Sequence, residues 1–108
     1  MKHLIFLTIF LFVSLESLSN EPVKPVINLN DAILKLESGN DLEALLDFQI
    51  LATEGDIVAM TYLGQMYRTG RGLSQNFTKA EMWLGRAAKE GNASANHRLG
   101  WMYARGQI

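Results

Sequence analysis

The chain has 108 residues with ten lysines and arginines against eleven acids, two histidines and no cysteine. That length allows one domain, and the lack of thiols excludes disulfide staples, thiolate metal sites and cysteine nucleophiles, so stability has to come from packing. The formal charge of −1 hides a lopsided distribution, with eight acids and two bases from Glu21 to Asp56 but seven bases and two acids from Ile57 to Ile108. Such polarity can steer acidic partners to one half or align two copies head to tail; it also fits solvated helix faces that simply differ in sign.

Met1-Lys2-His3 is a short positive start, followed by the apolar run Leu4 to Val13. The run is shorter than the roughly 20 apolar residues of a bilayer-spanning helix. Ser17 and Ser19 occupy the small-residue positions of a cleavage point before Asn20, so residues 1–19 read as a secretory signal peptide. An uncleaved membrane anchor is the competing reading. After cleavage no stable membrane insertion is expected, and with no cysteine at the cleavage point no lipid anchor is. The stretch "NEPVKPVIN" carries both prolines, Pro22 and Pro25, and makes residues 20–29 an extended leader.

Helical patterning follows. Asn30 or Asp31 is placed to cap a first helix ending near Ser38, with Gly39-Asn40 as the turn, and Asp41 to cap a second that runs to Glu54 with Gly55 behind it. Asp56 starts a third helix, closed by Gly70 and Gly72. Asn76 caps a fourth, closed by Gly91, and Asn92 a fifth that reaches about Arg105. Apolar residues at Ala59, Leu63, Met66 and Tyr67 keep helical spacing, as do Ala80, Trp83, Leu84 and Ala87, and no segment alternates as a strand would.

The third helix contains an oddity, Gly64 in the middle of "AMTYLGQMYRTGRG", where glycine costs about 1 kcal/mol relative to alanine. The fifth helix repeats it: Ala59, Leu63, Gly64, Met66, Tyr67 and Gly70 recur as Ala95, Leu99, Gly100, Met102, Tyr103 and Gly106. The second and fourth helices correspond at the same offset through Ala44 and Ala80, Ala52 and Ala88, Glu54 and Glu90, Gly55 and Gly91. A period of this length means stacked helix pairs, each burying its apolar face only against the next. The expected fold is all-α: a short α-solenoid of antiparallel helix pairs, about two and a half repeats. Gly64 then serves close approach to a neighbouring helix, with Trp83 as the expected bulky partner.

The stretch from Ala59 to Asn92, "AMTYLGQMYRTGRGLSQNFTKAEMWLGRAAKEGN", resembles a Sel1-like repeat, whose pattern is A-x3-LG-x-MY-x2-G-x-GV-x2-D-x2-KA-x2-W-x2-KAA-x2-G. Leu73 stands for the valine, Asn76 for the aspartate and Arg86 for the first lysine of KAA. The resemblance places a degenerate helix pair at 30–55, a full repeat at 56–91 and a truncated one at 92–108. It implies a TPR-like scaffold that binds a partner protein or peptide. It also brings a rival, since some Sel1-like proteins are described as hydrolases acting on β-lactams.

No chemistry emerges to support an enzyme. His97 is the lone histidine after the signal, and Ser74 and Ser94 lack the strained elbow of an exposed serine nucleophile. Gly70-Arg71-Gly72 follows a helix and lacks the Gly-Lys-Ser/Thr of a phosphate loop, so it reads as a left-handed cap and turn. Asn76 and Asn92 head formal glycosylation acceptors, but helix capping accounts for both. No catalytic, cofactor or metal residue is assigned. Nucleic-acid binding is set aside because Trp83, Tyr67 and Tyr103 fall on packing positions of the repeat.

The best candidate is a helix face. Gln65 and Arg68 lie outside the packing stripe of the third helix, and His97, Trp101 and Arg105 recur every four residues along the fifth. Trp and Arg are enriched among interface hot spots, so the five form a candidate partner-binding face. The competing reading packs Trp101 on a neighbouring helix and sets Arg105 against the helix C-terminus. The last repeat has a first helix without a second, which leaves Leu99, Met102 and Tyr103 uncovered on sequence grounds. Three outcomes are open: the helix caps itself, a homodimer forms through it, or another protein supplies the missing helix. The expected role is an exported protein-interaction module, with a structural or assembly subunit of an envelope complex as the alternative.

Overall fold

The computed structural model describes residues 26–108, so the expected signal at 1–19 and most of the leader lie outside it. Five helices follow in order: α1 Leu29–Glu37, α2 Asp41–Thr53, α3 Ile57–Thr69, α4 Phe77–Lys89 and α5 Ala93–Ala104. Each packs on the next, α5 also touches α3, and no strand occurs among the described residues. This is the expected short stack of helical hairpins.

Four of the five starts are fixed by one device. Asn28, Asp56, Asn76 and Asn92 each accept a hydrogen bond from the backbone N–H three residues on, at 2.8, 2.9, 2.9 and 2.8 Å. Every such cap satisfies one orphan donor and is worth about 1 kcal/mol. Two expectations are corrected here. The cap of α1 is Asn28 and not Asn30 or Asp31; Asp31 sits one turn in and accepts from the Asn28 side-chain amide at 3.0 Å. That starts the helix two or three residues earlier and lets Leu29 pack against the core. At α2 the cap position falls to Asn40, whose side chain makes no capping bond. Asp41 is already helical, and its carboxylate is held instead by Arg71 at 2.7 Å.

Two cores are joined side by side. Phe48, Leu63 and Met66 centre the first, built from α1, α2 and α3, and Leu84 and Met102 centre the second, built from α4 and α5. Met60 and Tyr67 touch both, so α3 is the shared wall. Gly64 explains how close α3 and α4 come. A Cβ there would lie 2.6 Å from Leu84 Cγ and 3.2 Å from the carbonyl oxygen of Ala80. The expected partner Trp83 is thereby corrected to Leu84. One residue is about 100° of helix rotation, and Trp83 turns toward the first core, with the Arg86 guanidinium 5.1 Å above its ring.

The loop after α3 ties the first hairpin to the second. Gly70 and Gly72 both have positive φ, 73° and 75°, and a Cβ on Gly72 would stand 3.0 Å from the Asp41 carbonyl oxygen. Between them Arg71 reaches Asp41 and donates to the Leu36 carbonyl at 2.9 Å. At the other end, Met102 is fully buried, which corrects the expectation that it stands uncovered; Ile108 folds back onto the same cluster. Tyr103 remains 59% exposed, its hydroxyl donating to Glu81 at 3.1 Å.

Candidate protein-interaction groove

The first helices of successive pairs, α1, α3 and α5, line a continuous groove. Its larger part, about 410 Å³, runs past Leu36, Val58, Tyr62 and Met66, with Thr61, Gln65, Thr69, Arg71, Asn92, Ser94 and Arg98 around them. Its smaller part, about 260 Å³, is walled by Gln65, Arg68, Ser94, His97, Arg98 and Trp101. Gln65, Ser94 and Arg98 belong to both.

Local packing presents these side chains. Tyr62 stacks flat on buried Phe48, centroids 4.9 Å apart, which holds its ring as part of the floor. Leu63 and Met66 face the core, and the 3.6-residue period turns Val58, Thr61, Gln65 and Thr69 toward the groove. On α5, buried Ala95 and Met102 set the inward side, leaving Ser94, His97, Arg98 and Trp101 on the groove.

Four of the five sequence-selected residues, Gln65, Arg68, His97 and Trp101, converge on the smaller recess. Arg105 is one turn further and does not line it; its guanidinium lies 4.3 Å above the Trp101 ring. This cation–π contact replaces a free role for either group and holds half-exposed Trp101 in place. His97 is tilted 52° against the same ring, centroids 6.2 Å apart. Sequence reasoning missed Ser94 and Arg98. The signal was there: residues 94, 98 and 101 are spaced by four and three, the same stripe as 97, 101 and 105 displaced by part of a turn.

Of the three arginines that line the groove, only Arg71 is neutralised, by Asp41. No aspartate or glutamate lines the groove. Among the described residues the ion pairs are Lys35 with Asp47 and Arg71 with Asp41, so Arg68, Arg98 and Arg105 stand without a carboxylate. Arg68 Nε donates to Gln65 Oε1 at 3.0 Å and Arg98 Nε to Ser94 Oγ at 3.3 Å. Those neutral acceptors orient the guanidinium planes and leave their charge in place.

Ser94 Oγ accepts from Arg98 Nε, and among the described residues no group of three or more His, Asp or Glu is arranged to hold a metal. Nor is any described helix long and apolar enough to cross a membrane.

Comparison with known families settles the lineage: residues 57–92 and 93–108 each match the Sel1 repeat. The chain is a Sel1-like repeat protein. The matched segments are α3 with α4 and then α5, so both recognised repeats contribute a first helix to the groove. No curated protein and no solved structure matches this Sel1-like chain. Sel1 repeats are generally protein-interaction modules on a typically non-catalytic helical scaffold.

Proposed function

We propose that this Sel1-like protein is an exported interaction module that holds a segment of a partner protein in the groove between α3 and α5. The observation that carries the reading is the meeting of an apolar floor, Leu36, Val58, Tyr62 and Met66, with orientated polar groups on both walls. Recognition sites combine apolar contact area with a few placed polar groups in this way. The repeats supply the walls in duplicate, so the groove follows from stacking and needs no added loop. Support for export comes from the positive start, the apolar run and the small-residue cleavage point at the N-terminus.

Site-specific photo-crosslinking in the native host tests the groove. A benzoylphenylalanine in place of Gln65 is expected to trap a discrete protein, and one in place of Met82, on the exposed side of α4, is not. A partner trapped only from the Met82 position would overturn the reading. Export is checked on the same material by fractionation and N-terminal sequencing, with Asn20 as the expected first residue.

A further inference from the structure

The charge of the groove narrows the partner further, given that the groove is the binding surface. We propose that it takes an acidic peptide segment, with a carboxylate held by Arg68 and Arg98 and a neighbouring apolar side chain on the Tyr62–Met66 floor.

Three observations meet here. The first is the contrast among arginines at this face. Arg71 is spent on structure, its charge met by Asp41 and another of its N–H groups by the Leu36 carbonyl. Arg68 and Arg98, by contrast, are half-buried and face no carboxylate. The second is which atoms are used. Each Nε is fixed by a neutral oxygen of its own helix, Gln65 Oε1 or Ser94 Oγ. The terminal nitrogens remain as donors, and a guanidinium held at Nε is an orientated fork suited to a planar, two-oxygen acceptor. Fixing the fork beforehand lowers the ordering entropy that a flexible cation would lose on binding.

The third observation is composition along the groove. Its lining contains arginine and histidine but no acid, and the floor beside the arginines is apolar. A carboxylate alone would leave Val58, 40% exposed, and Tyr62 uncovered. A segment carrying aspartate or glutamate next to leucine, valine or an aromatic residue meets both. The lopsided distribution of charge in the chain agrees, since seven bases lie in the half that supplies α3 to α5. Acidic segments would be steered toward that half, with a salt-sensitive rate.

The test is selection of a random dodecapeptide phage library on the purified immobilised protein. Selected sequences are then titrated as fluorescein-labelled synthetic peptides. Enrichment of acid next to apolar residues is expected. Replacing the acids of a selected peptide by their amides should weaken binding at least tenfold, since a hydrogen bond to a charged group is worth about 1.5–3 kcal/mol. R68Q and R98Q should each weaken it about tenfold and K89Q, an exposed residue of α4 that does not line the groove, should not. Circular dichroism and melting of each variant establish that it is folded, and the amide peptides test the same contact on unaltered protein.

Neutral or basic peptides whose binding depends on Trp101 would overturn the acidic partner and leave the groove as an interaction site. Failure of any peptide to enrich would overturn both. A thymidine oligonucleotide that displaces the peptide at equal concentration would reassign the cations to nucleic acid. Dimerisation of the protein that R98Q abolishes would reassign them to the acidic half of a second copy.

Discussion

Gly64 and Gly100 occupy the same position in successive repeats, yet their surroundings are opposite. Around Gly64 the Leu84 side chain and the Ala80 carbonyl fill the space a Cβ would need, whereas a Cβ on Gly100 meets nothing within 4 Å. Tyr67 and Tyr103 differ in the same sense: the first is half-buried between the two cores, the second mostly exposed. The sequence motif is thus one thing and the energetic role of its residues another. A residue that is obligatory where a second helix packs on it becomes neutral where the described chain puts none. The glycines that close these helices behave differently again, because Gly70 and Gly106 have the same left-handed φ, 73° and 68°, whatever lies nearby.

The largest effect should come from Gly64→Leu, which drives a side chain into Leu84 and the α4 backbone. Overpacking of this kind costs typically 1–3 kcal/mol, and with the Ala80 carbonyl unable to retreat a loss of about 3 kcal/mol is expected in urea denaturation. Gly100→Leu should leave stability unchanged or raise it by up to about 1 kcal/mol through helix propensity. Equal losses at the two sites would break the contrast and mean that the α5 face is covered in solution.

Next come the shared backbone conformations. Gly70→Ala and Gly106→Ala should each cost about 1 kcal/mol, because a left-handed residue with a Cβ is strained whether or not space is available. Gly72→Ala should cost more than either, since its Cβ would also press on the Asp41 carbonyl at 3.0 Å. Chemical denaturation of the three variants side by side ranks them. Asn92→Ala should lose about 1 kcal/mol as a lost cap and Asn40→Ala close to nothing, as Asn40 makes no side-chain cap bond.

The smallest effect is a titration. The Tyr103 hydroxyl donates to the Glu81 carboxylate, and that bond, followed by the nearby negative charge, raises its pKa above the usual 10.0. Folding therefore favours the neutral phenol. Its contribution is complete below the unfolded value and disappears as pH rises through the higher folded one. Ultraviolet absorbance should show that Glu81→Gln moves the Tyr103 titration to lower pH, back toward the ordinary value.

Much of the fold could be read before any coordinates. The repeat of Leu63-Gly64 as Leu99-Gly100, together with Asp56, Asn76 and Asn92 as caps, marks helices α3 to α5 almost to the residue. Those signals are local, and so survive in one dimension. What escaped depends on rotation or on distance along the chain. Leu84 in place of Trp83 is one residue of rotation, decided by how α3 and α4 cross. Asp41 looked like a cap because a cap is a local property, while its partner Arg71 lies thirty positions away. Of the groove, Gln65, Arg68, His97 and Trp101 were legible as residues left outside a packing stripe. Arg98 could have been found from its spacing with Ser94 and Trp101, but the Arg68–Gln65 and Arg98–Ser94 bonds could not, because a side-chain bond within one turn leaves no mark on hydrophobic spacing.

The division of the interior into two cores sharing α3 gives the groove a mechanical character. The α3 wall packs in both cores and the α5 wall in the second alone, so a hinge between the repeats would widen or narrow the groove. A ligand that spans both walls clamps that hinge and adds its own binding free energy to the coupling between repeats. Occupancy should therefore register at a distance, as slower hydrogen exchange of amides in α4, a helix that contributes no side chain to the groove.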